Sequence, residues 1–212
     1  MSQEFRLKDI GLIDRDKKLS FKFNGKKYYG FKGDTLASAL IANGVHLIGR
    51  SFKYHRPRGF FGAGVDEPYA IVQLYRNGET EPNIKATEQE LFEGLEATSV
   101  NCWPSVNFDV GAINNFLKIF LPAGFYYKTF MWPASFWEKY EFFIRHSAGL
   151  GKSPTSSDPD IYDHRNVHCD VLVVGAGISG ILAAKNAAKN NFKTLLVDEK
   201  NELGGSTIYE NN

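Results

Sequence analysis

Apolar and polar residues alternate with a period of two from Leu19 to Phe23, with Ser20 and Lys22 between them. That period puts Leu19, Phe21 and Phe23 on one face of a strand. Asn24-Gly25 follows, a pair that tolerates the positive φ angles of a tight hairpin turn, and Tyr28 to Phe31 run back. The pattern predicts a β-hairpin over 19–31. The period then changes. Leu36, Ala39 and Leu40 fall on one helical face, Asp34 stands where a helix start needs an oxygen acceptor, and Gly44 suits the residue after the end. A helix is predicted over about 35–43. Tyr69 to Arg76 reads as a strand turned by Asn77-Gly78, and Thr80 to Glu90 begins strand-like and becomes polar. Hairpin, short helix and further strands predict a small α+β domain over 1–108.

From 109 the pattern loses its alternation and fills with aromatics: Phe116, Phe120, Phe125, Tyr126, Tyr127, Phe130, Trp132, Phe136, Trp137, Tyr140, Phe142 and Phe143. Phe136, Tyr140 and Phe143 keep the i, i+4, i+7 spacing of one helical face. So much aromatic surface in so short a segment predicts packing between domains or against another chain. Residues 151–165 have the Gly/Ser/Pro/Asp composition of a linker, so 109–165 reads as an aromatic, partly helical connector.

The third pattern is a continuous apolar run, 170–174, opening a glycine turn and then a helix. Gly175, Gly177 and Gly180 make G-x-G-x-x-G, with Ala176 and Ser179 inside the turn. The first glycine allows the tight strand-to-helix turn, the second lets a pyrophosphate reach the backbone, and the third lets helix and strand approach. A helix over about Ile178–Lys189 directs its unpaired amides at the phosphates, with Ile181, Leu182, Ala184 and Ala188 facing the sheet. Asn190-Asn191 stops it, and Phe192 to Val197 is the next strand. An acid at that strand's end accepts hydrogen bonds from the adenosine ribose. Asp198 and Glu199 are both candidates, Lys200 adjoins them, and Gly204-Gly205-Ser206 follow as a second small-residue turn. Over 166–212 this is the first β-α-β of a Rossmann dinucleotide-binding domain. Only that much precedes Asn212, so the reading is of a truncated domain from a longer flavoprotein-type subunit.

Composition narrows the function. Of 212 residues 43% are hydrophobic, and the net charge is +1, which gives no global field for nucleic acid or an anionic membrane. No apolar run of spanning length exists, and Met1-Ser-Gln-Glu-Phe-Arg is no secretory leader, so a cytoplasmic protein is expected. Two cysteines, Cys102 and Cys169, are too few for a disulfide framework, an iron–sulfur cluster or a zinc site, and both read as small core residues. His46, His146, His164 and His168 show no metal-ligand spacing. The run Arg50-Ser-Phe-Lys-Tyr-His-Arg-Pro-Arg58 interleaves bases with aromatics. It reads as an RNA or phosphate grip, or as an interface and a partner for carboxylates. The near-neutral charge and the lack of a nucleic-acid fold favour the second, and His55 is the one candidate base within it.

Three runs in order, Arg50-Ser-Phe-Lys-Tyr-His-Arg-Pro-Arg-Gly59, Leu121-Pro-Ala-Gly-Phe-Tyr-Tyr-Lys-Thr-Phe-Met-Trp-Pro133 and His168-Cys-Asp-Val-Leu-Val-Val-Gly-Ala-Gly177, resemble the N-terminal third or less of the α subunits of heterotetrameric sarcosine oxidases. The resemblance covers nearly the whole chain. It implies a ferredoxin-like β-grasp fold for the first domain. It also implies that loop 59–68 stands where related amine dehydrogenases carry cluster cysteines, and hence a module with no Fe–S cluster. It implies NAD at the fingerprint, with Gly175, Ala176, Gly177, Ser179, Gly180, Asp198, Glu199, Lys200, Gly204, Gly205 and Ser206 as cofactor-binding residues. Ser179 and Ser206 stand where alanine and threonine are frequent in that family. For the assembly it implies β, γ and δ partner subunits, FAD in the β subunit, and FMN at the α–β interface. The implied reaction is oxidative demethylation of sarcosine to glycine, with H2O2 and 5,10-methylenetetrahydrofolate formed; sarcosine and tetrahydrofolate act on parts outside this chain. No residue of the chain is assigned to the amine oxidation itself. Two rivals stay open: an α subunit of a dehydrogenase for another secondary amine, and a module whose role is structural assembly.

Overall fold

A computed structural model describes the chain except for residues 1, 2, 9, 77, 122, 125–131, 150, 159, 201, 211 and 212. Phe125, Tyr126, Tyr127 and Phe130, and with them most of the middle run of the resemblance, lie outside the described residues, as does Asn77. The chain forms two compact units, Met1–Asp158 and Pro159–Asn212.

The first unit is built on a five-stranded sheet. Strands β1 (Asp14–Phe23) and β2 (Lys26–Lys32) form the expected hairpin. Asn24 and Gly25 have φ of 50° and 76°, the paired left-handed conformation of a twist-matched two-residue turn. Helix α1 (Leu36–Ala42) comes next. A two-residue ladder, β3 (Gly49–Arg50) with β4 (Pro57–Arg58), closes the basic run into a loop. Strands β5 (Ile71–Arg76), β6 (Glu79–Lys85) and β7 (Glu96–Ser99) complete the sheet in the order β2-β1-β7-β5-β6. β7 runs parallel to β1 and antiparallel to β5, so the last strand in sequence is the central one in space. Phe21, Phe23, Leu36, Leu40, Ile48, Leu74 and Leu95 are buried together between sheet and helix.

The start of α1 differs from its prediction by one residue. Thr35 is the cap: its hydroxyl accepts from Ser38 N, while Ser38 Oγ accepts from Thr35 N. Asp34 is buried instead and receives Arg6 bidentately at 3.0 and 2.7 Å, with Phe31 N and Ser38 Oγ as further donors. Gly44 ends the helix at φ +75° as its position predicts.

After β7, residues Val110–Phe120 wind as successive 3₁₀ turns and α2 spans Trp137–Ala148, ending on Gly149 at φ 64°. Phe136 immediately precedes α2, with its ring 6.1 Å from that of Tyr140. The segment read as linker begins as part of the first unit. Gln73, buried in β5, accepts from Lys152 N at 2.7 Å and donates to Lys152 O at 3.1 Å.

In the second unit β8 (Val171–Val174) pairs in parallel with β9 (Thr194–Val197), joined by α3 (Ile178–Lys189); a short α4 (Thr207–Glu210) follows. One helix covers one face of this ribbon. Val173 faces α3, whereas Leu172 and Val174 on the opposite face are exposed, so the strand expected to be buried is buried on one side only. The covered stripe of α3 is Ile181, Ala184 and Ala187; Leu182 and Ala188, expected inward, lie outside it. Among the described residues no helix is long and apolar enough to cross a membrane.

Candidate functional site

The turn from β8 into α3 shows why its glycines are glycines. Gly175 sits at φ 98° and donates to Val197 O at 2.8 Å, which ties the turn to the end of β9. A Cβ on Gly180 would lie 1.9 Å from Gly175 O, so no side chain fits between helix and turn. Gly177 is the helix cap and no side chain caps the helix beyond it. The first amides of α3 therefore lack the usual internal acceptor and face outward with the positive end of the helix dipole.

The second small-residue turn closes on the first. Gly204 N donates to Ala176 O at 2.8 Å, and a Cβ on Gly205 (φ 58°) would come within 3.0 Å of Gly177 Cα. The structure thus brings Gly175, Ala176, Gly177, Gly180, Gly204 and Gly205 into one cradle. Ser179 lies in the first turn of α3, and Ser206 leads into α4.

The two acids separate in role. The Asp198 carboxylate accepts from Ala176 N at 2.5 Å and from Lys200 N at 2.8 Å. These amides, Ala176 first, hold its pKa below the ordinary aspartate value. Asp198 is therefore a clamp on the glycine turn. Glu199, next to it and exposed at the end of β9, is not drawn into that clamp. Sequence reasoning left the two open because spacing alone cannot show which carboxylate the turn consumes.

Elsewhere the first unit holds further buried polar centres, among them Glu67 and His55. Glu67 accepts from Phe61 N and Gly62 N at 2.6 Å each, and from Tyr69 N at 2.7 Å and Ala70 N at 3.1 Å. Burial pushes its carboxyl up, but the amides of Gly62, Phe61, Tyr69 and Ala70 outweigh that and hold its pKa below the usual glutamate value. His55, the candidate base, is buried with Nδ1 2.7 Å from Asp109 Oδ2, and Asp109 Oδ1 accepts from Trp103 N and Gly111 N. A Cβ on Gly111 would lie 2.3 Å from the His55 ring, which packs the pair tightly under the 110–120 segment. This pair is a structural anchor that no local pattern reveals, since 54 residues separate its members. In the basic loop Arg56 stacks on Tyr54 and Arg58 on Tyr69, with 4.8 and 4.2 Å from guanidinium carbon to ring centre.

Residues 16–102 match the family model of a 2Fe-2S iron-sulfur cluster binding domain, and residues 170–210 that of an FAD dependent oxidoreductase. The α subunit of sarcosine oxidase from Rhizobium meliloti is 57% identical over 207 residues, 97% of this chain and 21% of that protein. The corresponding Corynebacterium sp. subunit is 32% identical over 197 residues, 92% of this chain and 16% of its own length. The chain thus spans about a fifth or less of the curated relatives it matches. Among solved structures, L-proline dehydrogenase from P. horikoshii is 19% identical with a TM-score of 0.45, covering 91% of this chain and 27% of its own.

The cofactor expectation is corrected by the first match: a module read as having no Fe–S cluster is similar over 16–102 to domains that bind a 2Fe-2S cluster. The cysteine count misled because fold and ligand set are separable, and the count addresses only the second. The chain's own side chains do not make up a four-thiolate set. It has two cysteines, burial pushes the Cys102 thiol up, and among the described residues no group of three or more His, Cys, Asp or Glu is placed to hold a metal ion. The second match names FAD where the resemblance implied NAD.

Proposed function

Since the chain is homologous over nearly all of its length to the α subunits of sarcosine oxidase, we propose that it serves an amine-oxidising oxidoreductase and that its second unit seats the adenosine diphosphate half of a dinucleotide. The observation that carries the seat is the uncapped start of α3 in the glycine cradle, with Glu199 beside it. In this reading the amides of Ile178, Ser179 and Gly180 hold the pyrophosphate. Asp198 keeps the turn open by holding Ala176 N. Glu199 accepts from the ribose hydroxyls, with Lys200 and Ser206 bordering the seat. NAD and FAD share this half, so the geometry addresses what they have in common. When bound, such a cofactor supplies two-electron transfer; this chain's part is to bind and orient it.

The whole enzyme, with its β, γ and δ partner subunits, is proposed to demethylate sarcosine. A hydride leaves the N-methyl carbon and a proton leaves the amine nitrogen to give an imine, the two electrons and two protons reduce oxygen to H2O2, and the methylene group passes to tetrahydrofolate, leaving glycine. The assay is oxygen uptake by the complete assembly with sarcosine. Equal yields of glycine and H2O2 are expected. Turnover of another secondary amine with none of sarcosine would contradict the substrate assignment and leave the seat standing.

A further inference from the structure

Residues 149–156 lie on a fitted seat on the first unit's sheet. Val72 and Leu74 of β5 point into the core, so the two-residue period of a strand turns Gln73 to the opposite face. An amide on that face would ordinarily meet water, yet Gln73 is only 4% exposed. Both of its polar atoms go to one residue. Oε1 accepts from Lys152 N at 2.7 Å, and Nε2 donates to Lys152 O at 3.1 Å. The side chain thereby pairs with a backbone as a neighbouring strand would, donor against acceptor. Thr80 Oγ1 donates to the same carbonyl at 3.2 Å.

The strand pairing is bent to suit. Val72 stands opposite Ile84 and Leu74 opposite Glu81, so Pro82 and Asn83 together face Gln73 alone. Two residues against one make a bulge, which re-aims the side chains it carries. Asn83, at φ 61°, accepts at Oδ1 from Gly151 N at 3.4 Å. On the facing segment two glycines make the close fit. A Cβ on Gly151 would lie 2.5 Å from Gln73 Oε1 and 2.8 Å from Pro82 Cβ. A Cβ on Gly149 would lie 3.0 Å from Asn101 Cα, and Gly149 O accepts from Asn101 N at 3.0 Å. Ser156 Oγ donates to Glu79 Oε1. The contacts therefore run from the end of α2 to Ser156, onto β5, β6 and the residues after β7.

We propose that residues 149–156 are a clasp, closed by the buried amide of Gln73, and that the second unit is tethered from no earlier than Ser156. By composition the free chain would begin at Gly151. The closed clasp moves that point by about five residues, so opening it lengthens the tether by roughly 17 Å of extended chain. Tether length sets the effective concentration at which a linked module meets its sites, and Gln73 is the residue that sets this length. The test is limited trypsin digestion of the full-length subunit in its intact assembly, native against Gln73→Ala and Gly151→Ala. The Lys152 side chain is exposed, so only the seated backbone withholds the Lys152–Ser153 bond from the protease. The native bond is expected to resist. Both variants should be cut there at least about tenfold faster, as the loss of two hydrogen bonds of ordinary strength implies. Gly151→Ala pushes the segment off without altering a side chain of the sheet, so hydrogen exchange across β5 and β7 should stay native in it even where Gln73→Ala loosens β5. Rapid cleavage of the native subunit after Lys152 overturns the proposal, as does native resistance in either variant.

Discussion

Glu67 shows how much a single side chain can organise. Its two oxygens accept four backbone amides across loop 61–70, and none of its surface meets water. Glu67→Ala removes the acceptor of all four, leaving the buried Ala70 amide and the part-buried others unpaired, which costs about 3 kcal/mol. The pH dependence has a defined sign. The native pKa is below the ordinary one, so the stabilisation is complete above roughly pH 4.3, the free glutamate value, and is lost as pH falls through the native value. Acid titration of unfolding should show this loss in the native protein and a flatter profile in Glu67→Gln. The glycine turn offers a second residue-scale prediction: Gly180→Ala places a methyl 1.9 Å from Gly175 O, so α3 must move off the turn. The variant should keep the first unit's unfolding transition and lose dinucleotide binding. At this scale the sequence was legible where one residue type answers one backbone need, as at Asn24-Gly25, Gly44 and Gly180. It was not legible where two neighbours compete for one role. Thr35 took the cap assigned to Asp34 because Arg6, 28 residues away, claims the aspartate. Asp198 separated from Glu199 for the same kind of reason.

Elements with a clear period were readable and elements without one were not. The hairpin, α1, β5, β6, β8, α3 and β9 all stand within a few residues of their predicted places. β7 has the sequence Glu-Ala-Thr-Ser, with no apolar alternation, and yet lies at the centre of the sheet. Its place is set by pairing, with Ala97 opposite Phe23 on one side and Leu74 on the other. Ala97 is wholly buried. Ala97→Asp therefore puts an unpaired charge in the sheet centre and should cost about 3–5 kcal/mol, read as a loss of the first unit's denaturant stability. The 110–120 segment escaped prediction because its 3₁₀ turns have a period of three, and its anchors are long-range bonds to the basic loop. In that loop Arg56 stacks on the loop's Tyr54 and Arg58 on Tyr69 beyond it, while Arg56 also holds Asn115 of the neighbouring segment.

Over the whole molecule, two units carry two kinds of information. The first has a closed core and matches a cluster-binding domain family without itself supplying four thiolates, a combination that the cysteine count alone could not express. The second has a nearly complete fingerprint on a ribbon with one covered face. In the proposed function this ribbon seats the adenosine diphosphate half of a dinucleotide, and Glu199, with Asp198 as clamp, holds the ribose. The most direct measurement is equilibrium titration of the full-length subunit with NAD and with FAD, native against Glu199→Ala. Loss of a charged hydrogen bond to ribose predicts roughly ten- to a hundredfold weaker binding of whichever dinucleotide the native subunit takes, with the fold unchanged. Equal affinity in the two proteins, or binding of neither dinucleotide by the native subunit, would contradict the account.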